Sequence, residues 1–280
     1  MTLDLTNIPC FGIAGNFTGH LEQAGEAGDF RNIKTKEESA PKAVFPTYIP
    51  GAKSPVPEFL SVFPFDSQKI VFPAGQKDLQ IEPECAIIFK VEWDKDRIIS
   101  FLPEFFGASN DCSIRREAAK KISLKKNWGA SCKGLSDNLI SVDSFSTEGN
   151  ISRYSIACYL KRGNSCFEYG EESPVSGYSY FYDKLLSWLV ETFNSQADEG
   201  PAENIRLYLN CAGNPEKILV SVGATRYAEF GKTNFLKGGD QSLVFLFPSD
   251  KYKKEEILEL IKTESPIPED VSVLRQEIII

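Results

Sequence analysis

Histidine is almost missing from this chain: among 280 residues only His20 carries an imidazole. Proton transfer by histidine near neutral pH is therefore confined to one position. A Ser-His-Asp triad would have to use that residue, and no G-x-S-x-G elbow is present. Zinc sites built from several His and Cys are nearly excluded, because no cysteine pair has ligand spacing. The seven cysteines (10, 85, 112, 132, 158, 166 and 211) are scattered and form no C-x-x-C. An odd, unpatterned set in a chain without a secretion signal reads as reduced, mostly buried thiols, and so as a cytoplasmic protein. The opening "MTLDLTNIPCFG" has an early acid and no basic n-region, unlike a signal peptide. No stretch stays apolar for ~18 residues, so no membrane span is expected. The net charge of -8 argues against a general nucleic-acid binder. "GATRYAEFGKT" (223–233) ends like a phosphate-binding loop, but seven residues separate Gly223 from Gly231 where such a loop needs four. Neither an internal repeat nor a low-complexity run is present.

What remains is ordinary globular composition, in a chain long enough to bury a sizeable core. The stretch 34–76 holds "KTKEESAPK" and then prolines 41, 46, 50, 55, 57, 64 and 73. Proline at that density forbids long helices and predicts extended, loop-rich chain. Residues 1–75 are therefore expected as a smaller N-terminal lobe carrying His20, followed by a main body over 76–250 and a C-terminal helix and tail over 251–280. Strand-like runs are "CAIIFKVEW" (85–93), "RIISFLP" (97–103), "ISRYSIACYLKR" (151–162), "ENIRLYLNCA" (203–212), "KILVSVGAT" (217–225) and "QSLVFLFP" (241–248). Two segments have helical periodicity. "FYDKLLSWLVETFNSQ" (181–196) aligns Phe181, Leu185, Leu189 and Phe193, and "KKEEILELIKTE" (253–264) is amphipathic. Many strands and few helices predict an α+β fold that is mostly β. The apolar tail "VLRQEIII" (273–280) would want a partner if exposed, and a dimer mate is one candidate.

Charge is concentrated in two places. "RREAAKKISLKKNWG" (115–129) carries cations at 115, 116, 120, 121, 125 and 126 around one acid, Glu117. A charge run is usually a solvated face; the alternative is a positive field that attracts a small anion. "QIEPECAIIF" (80–89) places Glu82 and Glu84 two apart, on one side of an extended strand. Such close like charges need a cation or a proton between them, unless both face solvent. "GASNDCSIRR" (107–116) adds Asp111 and Arg115, and "SCKGLSD" (131–137) adds Lys133 and Asp137. Two glutamates and an aspartate form a hard oxygen site suited to Mg²⁺, Mn²⁺ or Ca²⁺, with positions left for water and substrate.

These segments resemble the fumarylacetoacetate hydrolase family, as a bacterial offshoot of it. The resemblance rests on "EPE" (82–84), "NDCSIR" (110–115), "KGLSD" (133–137), "GAT" (223–225) and "GGDQSLVFLF" (238–247), with "FGIAGNFTGHLEQAG" (11–25) at the N-terminal end. It runs from about residue 11 to 248, in the family's order. It implies a mixed β-roll with few helices, usually a homodimer, and a divalent metal on Glu82, Glu84 and Asp111. Catalysis would fall to His20, Glu22 and Lys133, and substrate binding to Arg115, Thr225 and Asn16. The implied activity is hydrolytic C–C cleavage of a small 2-oxo or β-dicarbonyl acid, such as an acylpyruvate, through a metal-bound enolate. Decarboxylation or hydration of an oxaloacetate-like acid, or non-catalytic binding of a small acid or a protein partner, are the alternatives.

Some positions depart from the family pattern. Gln23 stands three residues after His20, where the hydrolases carry a glutamate that orients the imidazole, and the nearest acids are Glu22 and Glu26. Ala118 replaces a glutamine, and "VFPTYIP" lacks the lysine often found there. The expected metal ligands are retained, while the positions that read substrate differ.

Overall fold

The computed structural model describes residues 4–30, 33, 35–115 and 119–280. Arg116 and Glu117 of the basic run, the Ala118 position, Lys34 and the first three residues of the N-terminal segment lie outside that set. The strands are β1 (Cys10–Ala14), β2 (Ala43–Tyr48), β3 (Lys69–Val71), β4 (Leu79–Gln80), β5 (Pro83–Asp94), β6 (Arg97–Asn110), β7 (Ser113–Ile114), β8 (Gly134–Leu135), β9 (Ile140–Ser141), β10 (Tyr154–Arg162), β11 (Ser165–Pro174), β12 (Lys217–Ser221), β13 (Gln241–Pro248) and β14 (Ser272–Ile279). The helices are α1 (His20–Gln23), α2 (Ser123–Lys126), α3 (Tyr182–Ser195), α4 (Ile205–Cys211), α5 (Glu229–Thr233) and α6 (Lys254–Lys262).

The β5–β6 hairpin organises the molecule. Its Ile-, Val- and Phe-rich arms pair antiparallel from Asp94↔Arg97 at the turn to Pro83↔Asn110 at the far end. Near the turn the burial alternates; from Pro83 to Phe89 every residue of β5 is buried, so both faces there are covered. One side meets a core of Phe11, Ile87, Phe89, Phe101 and Phe193, and the other a smaller cluster of Ala86, Ile88, Leu135 and Leu219. The larger sheet runs β2-β1-β12-β5-β6-β8 with β9 also on β6; the second runs β11-β10-β13-β14-β3. β4 and β7 form a separate pair. This is a mostly β, α+β architecture with mixed sheets, as expected.

The stretch 1–75 supplies β1 and β2 to the larger sheet and β3 to the second. Residues 251–280 supply α6 and β14, which pairs with β13 and β3. Both ends of the chain thus share sheets and core with the middle segment. The apolar tail is a strand with alternating burial, Ser272, Leu274, Gln276 and Ile278 facing inward, while Ile279 and Ile280 at its end are exposed. α3 buries Leu185, Leu189 and Phe193 as its spacing predicts. α6 lays Ile257, Leu258 and Ile261 on Tyr159, Leu243, Phe245 and Phe247 of the second sheet.

One expected strand is a helix. The strand-like run 203–212 instead contains α4 over residues 205–211. The Asn204 side chain accepts from the Leu207 amide and caps the first turn. Ile205, Tyr208 and Leu209 are the buried positions, a helical i, i+3, i+4 set. No helix among the described residues is long and apolar enough to cross a membrane.

A close approach ties the second sheet to the loop that carries Lys133. A Cβ at Gly134 would sit 2.5 Å from the Gln276 amide. That fully buried amide accepts from Asn110 Nδ2 at 3.0 Å and donates to the carbonyls of Asp66 (2.8 Å) and Lys133 (3.2 Å). Gly134→Ala is therefore expected to destabilise the protein by about 1–3 kcal/mol through overpacking. Measured by urea denaturation, it should cost less than additively when combined with Gln276→Ala.

Candidate active site

The hairpin register brings the acidic residues together. Pro83 pairs with Asn110 and Glu84 with Ser109, so Glu82 and Asp111 flank the end of the ladder. The Asp111 amide donates to the Glu82 carbonyl at 3.0 Å, and the Glu82 amide donates to Asn110 Oδ1 at 3.1 Å. Period-two alternation puts the Glu84 carboxylate on the same side as that of Glu82. One oxygen from each of Glu82, Glu84 and Asp111 lies within 4.8 Å of the others, and all three residues are buried. Glu84 Oε2 also accepts from the Gly223 amide at 3.0 Å, in a turn with φ of +121° that favours glycine.

Cations converge on the same point. Lys126 Nζ lies 2.5 Å from Glu82 Oε2 and 2.6 Å from Asp111 Oδ2. Lys133 Nζ lies 3.0 Å from Asp111 Oδ1 and donates to the Cys112 carbonyl. Arg115 reaches Glu82 Oε1 at 2.7 Å and also donates to Glu26, Gln80 and Tyr227 Oη. Lys125 pairs with Glu26 at 2.9 Å. The end of the basic run folds inward, the side chains of Lys125 and Lys126 each only 4% exposed, while Lys120 stays exposed and Lys121 pairs with Asp198 at the surface. Burial alone would raise the Glu82 carboxyl, but Lys126 and Arg115 outweigh it and hold that group well below the usual range. Glu84 goes the other way: burial, then repulsion from Asp111 and Glu82, pushes it well above.

A divalent ion fits these residues. The donors are all carboxylate oxygens, as a hard cation requires. Glu82 Oε1 and Asp111 Oδ2 face cations closely yet receive no well-directed hydrogen bond, although both are buried. Oxygens held by charge alone suit a spherical ion.

His20 lies beside this centre, its ring 5.3 Å from that of Tyr227. Its Nδ1 donates to the Thr225 carbonyl at 2.8 Å, which leaves Nε2 as the acceptor of the neutral ring. Burial lowers its pKa and favours that neutral form. Gln23 grips the Tyr227 backbone instead of the imidazole: its Oε1 accepts from the Tyr227 amide at 2.7 Å. Glu22 lines a surface cavity of about 610 Å³ with Thr18, Glu38 and Lys42, and it is Glu26 that joins the charge network. Asn16 spends its amide on the main chain of Tyr180 and Val222, which fastens two loops together. Thr225 Oγ1 is buried with no hydrogen-bond partner. Four side chains engage Arg115, so it braces the carboxylates. Of the remaining cations and acids, Asp137 lines a different cavity, with Asp66 and Phe65.

The sequence matches a family of unknown function, DUF5718, over residues 26–278. The chain belongs to that family. Solved structures supply the fold relationship. A putative fumarylacetoacetate hydrolase family protein from Yersinia pestis CO92 matches with a TM-score of 0.54 at 12% identity, covering 97% of this chain and 94% of that one. A putative fumarylacetoacetate isomerase/hydrolase from Oleispira antarctica matches with a TM-score of 0.54 at 14% identity, covering 97% and 93%. A 2-keto-3-deoxy-D-arabinonate dehydratase complexed with magnesium and 2,5-dioxopentanoate matches with a TM-score of 0.55 at 11% identity, covering 97% and 72%. The fold of this DUF5718 member is therefore of the fumarylacetoacetate hydrolase type. Comparison with curated protein sequences finds no match.

Sequence reasoning did not single out Lys126, Tyr227 or Gln80. Charge balance was the available signal for Lys126. Three carboxylates taken out of water need compensating cations, and the basic run interleaves its lysines with Ile122, Leu124 and Trp128. Arg115→Ala would leave Glu82 and Glu26 short of a buried partner, at an expected cost of about 3–5 kcal/mol in urea denaturation at neutral pH. Tyr227→Phe removes one acceptor from Arg115 and should cost only about 0.5–1.5 kcal/mol.

Proposed function

We propose that this protein is an enzyme acting on a small 2-oxo or β-dicarbonyl acid, with hydrolytic C–C cleavage of an acylpyruvate-like substrate as the leading reaction. The observation that carries this reading is the buried Glu82–Glu84–Asp111 trio, with Lys133 3.0 Å from Asp111 and His20 near enough to feel the charge of Glu82. That the solved dehydratase of the same fold is complexed with magnesium and 2,5-dioxopentanoate supports the ligand class. Glu82, Glu84 and Asp111 would hold the divalent ion, with Mg²⁺ or Mn²⁺ the ions of choice for carboxylate oxygens. When bound, such an ion supplies Lewis-acid stabilisation of negative charge on a substrate oxygen.

The protein's own groups would do the rest. Lys133 is held rigidly by Asp111 and the Cys112 carbonyl, so its positive charge faces the site without reorganisation. His20, locked by the Thr225 carbonyl, presents Nε2 to take a proton from water or from carbon. Thr225 Oγ1 is free to bond a substrate oxygen. Burial of the trio keeps bulk water from the reacting atoms.

A second reading has its own support. His20 is backed by a backbone carbonyl, where the family's hydrolases use a glutamate, so a developing imidazolium gains less stabilisation. Decarboxylation or dehydration, which needs no activated water nucleophile, tolerates that weaker base. A screen of acylpyruvates, oxaloacetate and hydroxylated 2-oxo acids with Mg²⁺ or Mn²⁺ separates the two readings. Turnover of none of them, together with tight binding of oxalate, would sink both and indicate a binding protein.

His20→Gln should lower kcat by about 10²–10⁴-fold while leaving stabilisation by the ion unchanged. Unchanged turnover would remove His20 from the mechanism. Because the base form is active and burial depresses the pKa, activity should stay flat from about pH 6.5 upward and fall only on further acidification. A kcat/KM profile that begins to fall well above neutrality would contradict this assignment.

A further inference from the structure

We propose that Lys126 is a tethered counter-cation that competes with a divalent ion for Glu82 and Asp111, so that an ion loads only when this side chain withdraws. The proposal rests on the reading of the carboxylate trio as an ion site.

Geometry gives the first argument. The Lys126 ammonium bridges two of the three carboxylates, at 2.5 Å and 2.6 Å, in the space where their oxygens converge. An ion bound to the same oxygens cannot coexist with an ammonium at that distance. Lys133 and Arg115 do not conflict in this way, because each is anchored to groups outside the trio: the Cys112 carbonyl for Lys133, and Glu26, Gln80 and Tyr227 for Arg115. The ion pairs of Lys126 go to Glu82 and Asp111, and its other neighbour is the face of the Phe45 ring, 5.2 Å away.

Charge gives the second. Glu82 and Asp111 are already met by three cations, Arg115, Lys126 and Lys133, at 2.5–3.0 Å. Adding a divalent ion beside all three leaves uncompensated positive charge in a low-dielectric site, which is strongly disfavoured. Withdrawal of Lys126 restores most of the balance and frees its two oxygens at the same time.

The position of Lys126 suits that role. It ends the four-residue helix α2, and that helix is docked from both sides. Ser123 Oγ donates to Glu203 Oε1 at 2.6 Å, and Asn127 Nδ2 donates to the Thr47 carbonyl at 2.7 Å. The backbone is therefore pinned, while the ammonium rides on a four-carbon stem with several rotatable bonds. A tether of this kind keeps the ammonium at high effective concentration beside the trio, so a weakly held ion loses the contest.

The test is calorimetric titration of Mn²⁺ into the full-length wild type and Lys126→Met, with melting curves at each ion concentration. The expected result is Mn²⁺ affinity in Lys126→Met raised by about tenfold or more. The variant should also melt lower than wild type without Mn²⁺ and show a larger rise in Tm with it. Should Lys126→Met fail to fold without an ion, Lys126→Gln, which keeps a polar end but no charge, should shift affinity in the same direction. Equal affinities in wild type and variants would overturn the competition while leaving the ion site standing. Absence of Mn²⁺ binding in wild type and both variants would overturn the ion site, and the competition with it. Weaker binding in the variants would show that Lys126 supports the ion, and would likewise overturn the proposal.

Discussion

The constraint on which the rest of the molecule depends is the antiparallel register of one hairpin. Pairing Pro83 with Asn110 sets Glu82 beside Asp111 and turns Glu84 to the same side. A slip of one residue would send the two glutamates to the opposite face and separate them from the aspartate. Because both faces of the hairpin are buried at that end, the carboxylates cannot relax into solvent. The surrounding structure answers them with Arg115, Lys126 and Lys133, all from the stretch of chain that follows Asp111. Much of the interior is thus organised by compensation of charge as well as by apolar packing.

Those parts of the molecule differed in how legible they were in the sequence. Glu82 and Glu84 could be read because two-residue spacing on a strand is a geometric statement that needs no tertiary context, whereas Asp111 joined them only as a further oxygen donor from a separate polar stretch. α3 and α6 were equally plain, since their apolar stripes repeat with helical period. Residues 203–212 misled because Ile205, Leu207 and Leu209 also fit a two-residue period; the cap from Asn204 was the sign of a helix start. The basic run misled for a different reason. Whether a lysine faces water or a carboxylate depends on partners supplied by other strands, and local pattern says nothing about them. That most of the apolar tail is an internal strand was equally hidden, since its edge is covered by β3, some 200 residues earlier.

The fold is shared with proteins described as a dehydratase, a hydrolase family member and an isomerase/hydrolase, so fold alone selects no reaction. Here an amide at Gln23 clasps the backbone of Tyr227, a carbonyl orients the imidazole, and a second lysine joins the first. Each of these features bears on how positive charge is held beside the carboxylates. A site assembled this way is tuned by its lysines and arginine as much as by its acids.

The solitary imidazole has one more consequence. Because His20 is the only histidine, its ring gives a single set of resonances, readable in a magnetic resonance spectrum without assignment. It sits against Tyr227 and the Thr225 carbonyl and feels the charge of Glu82. The nitrogen shifts would show which ring nitrogen carries the proton, and their movement would register any ligand that settles nearby. The scarcity that first narrowed the chemistry thereby gives the site a native spectroscopic probe at its edge.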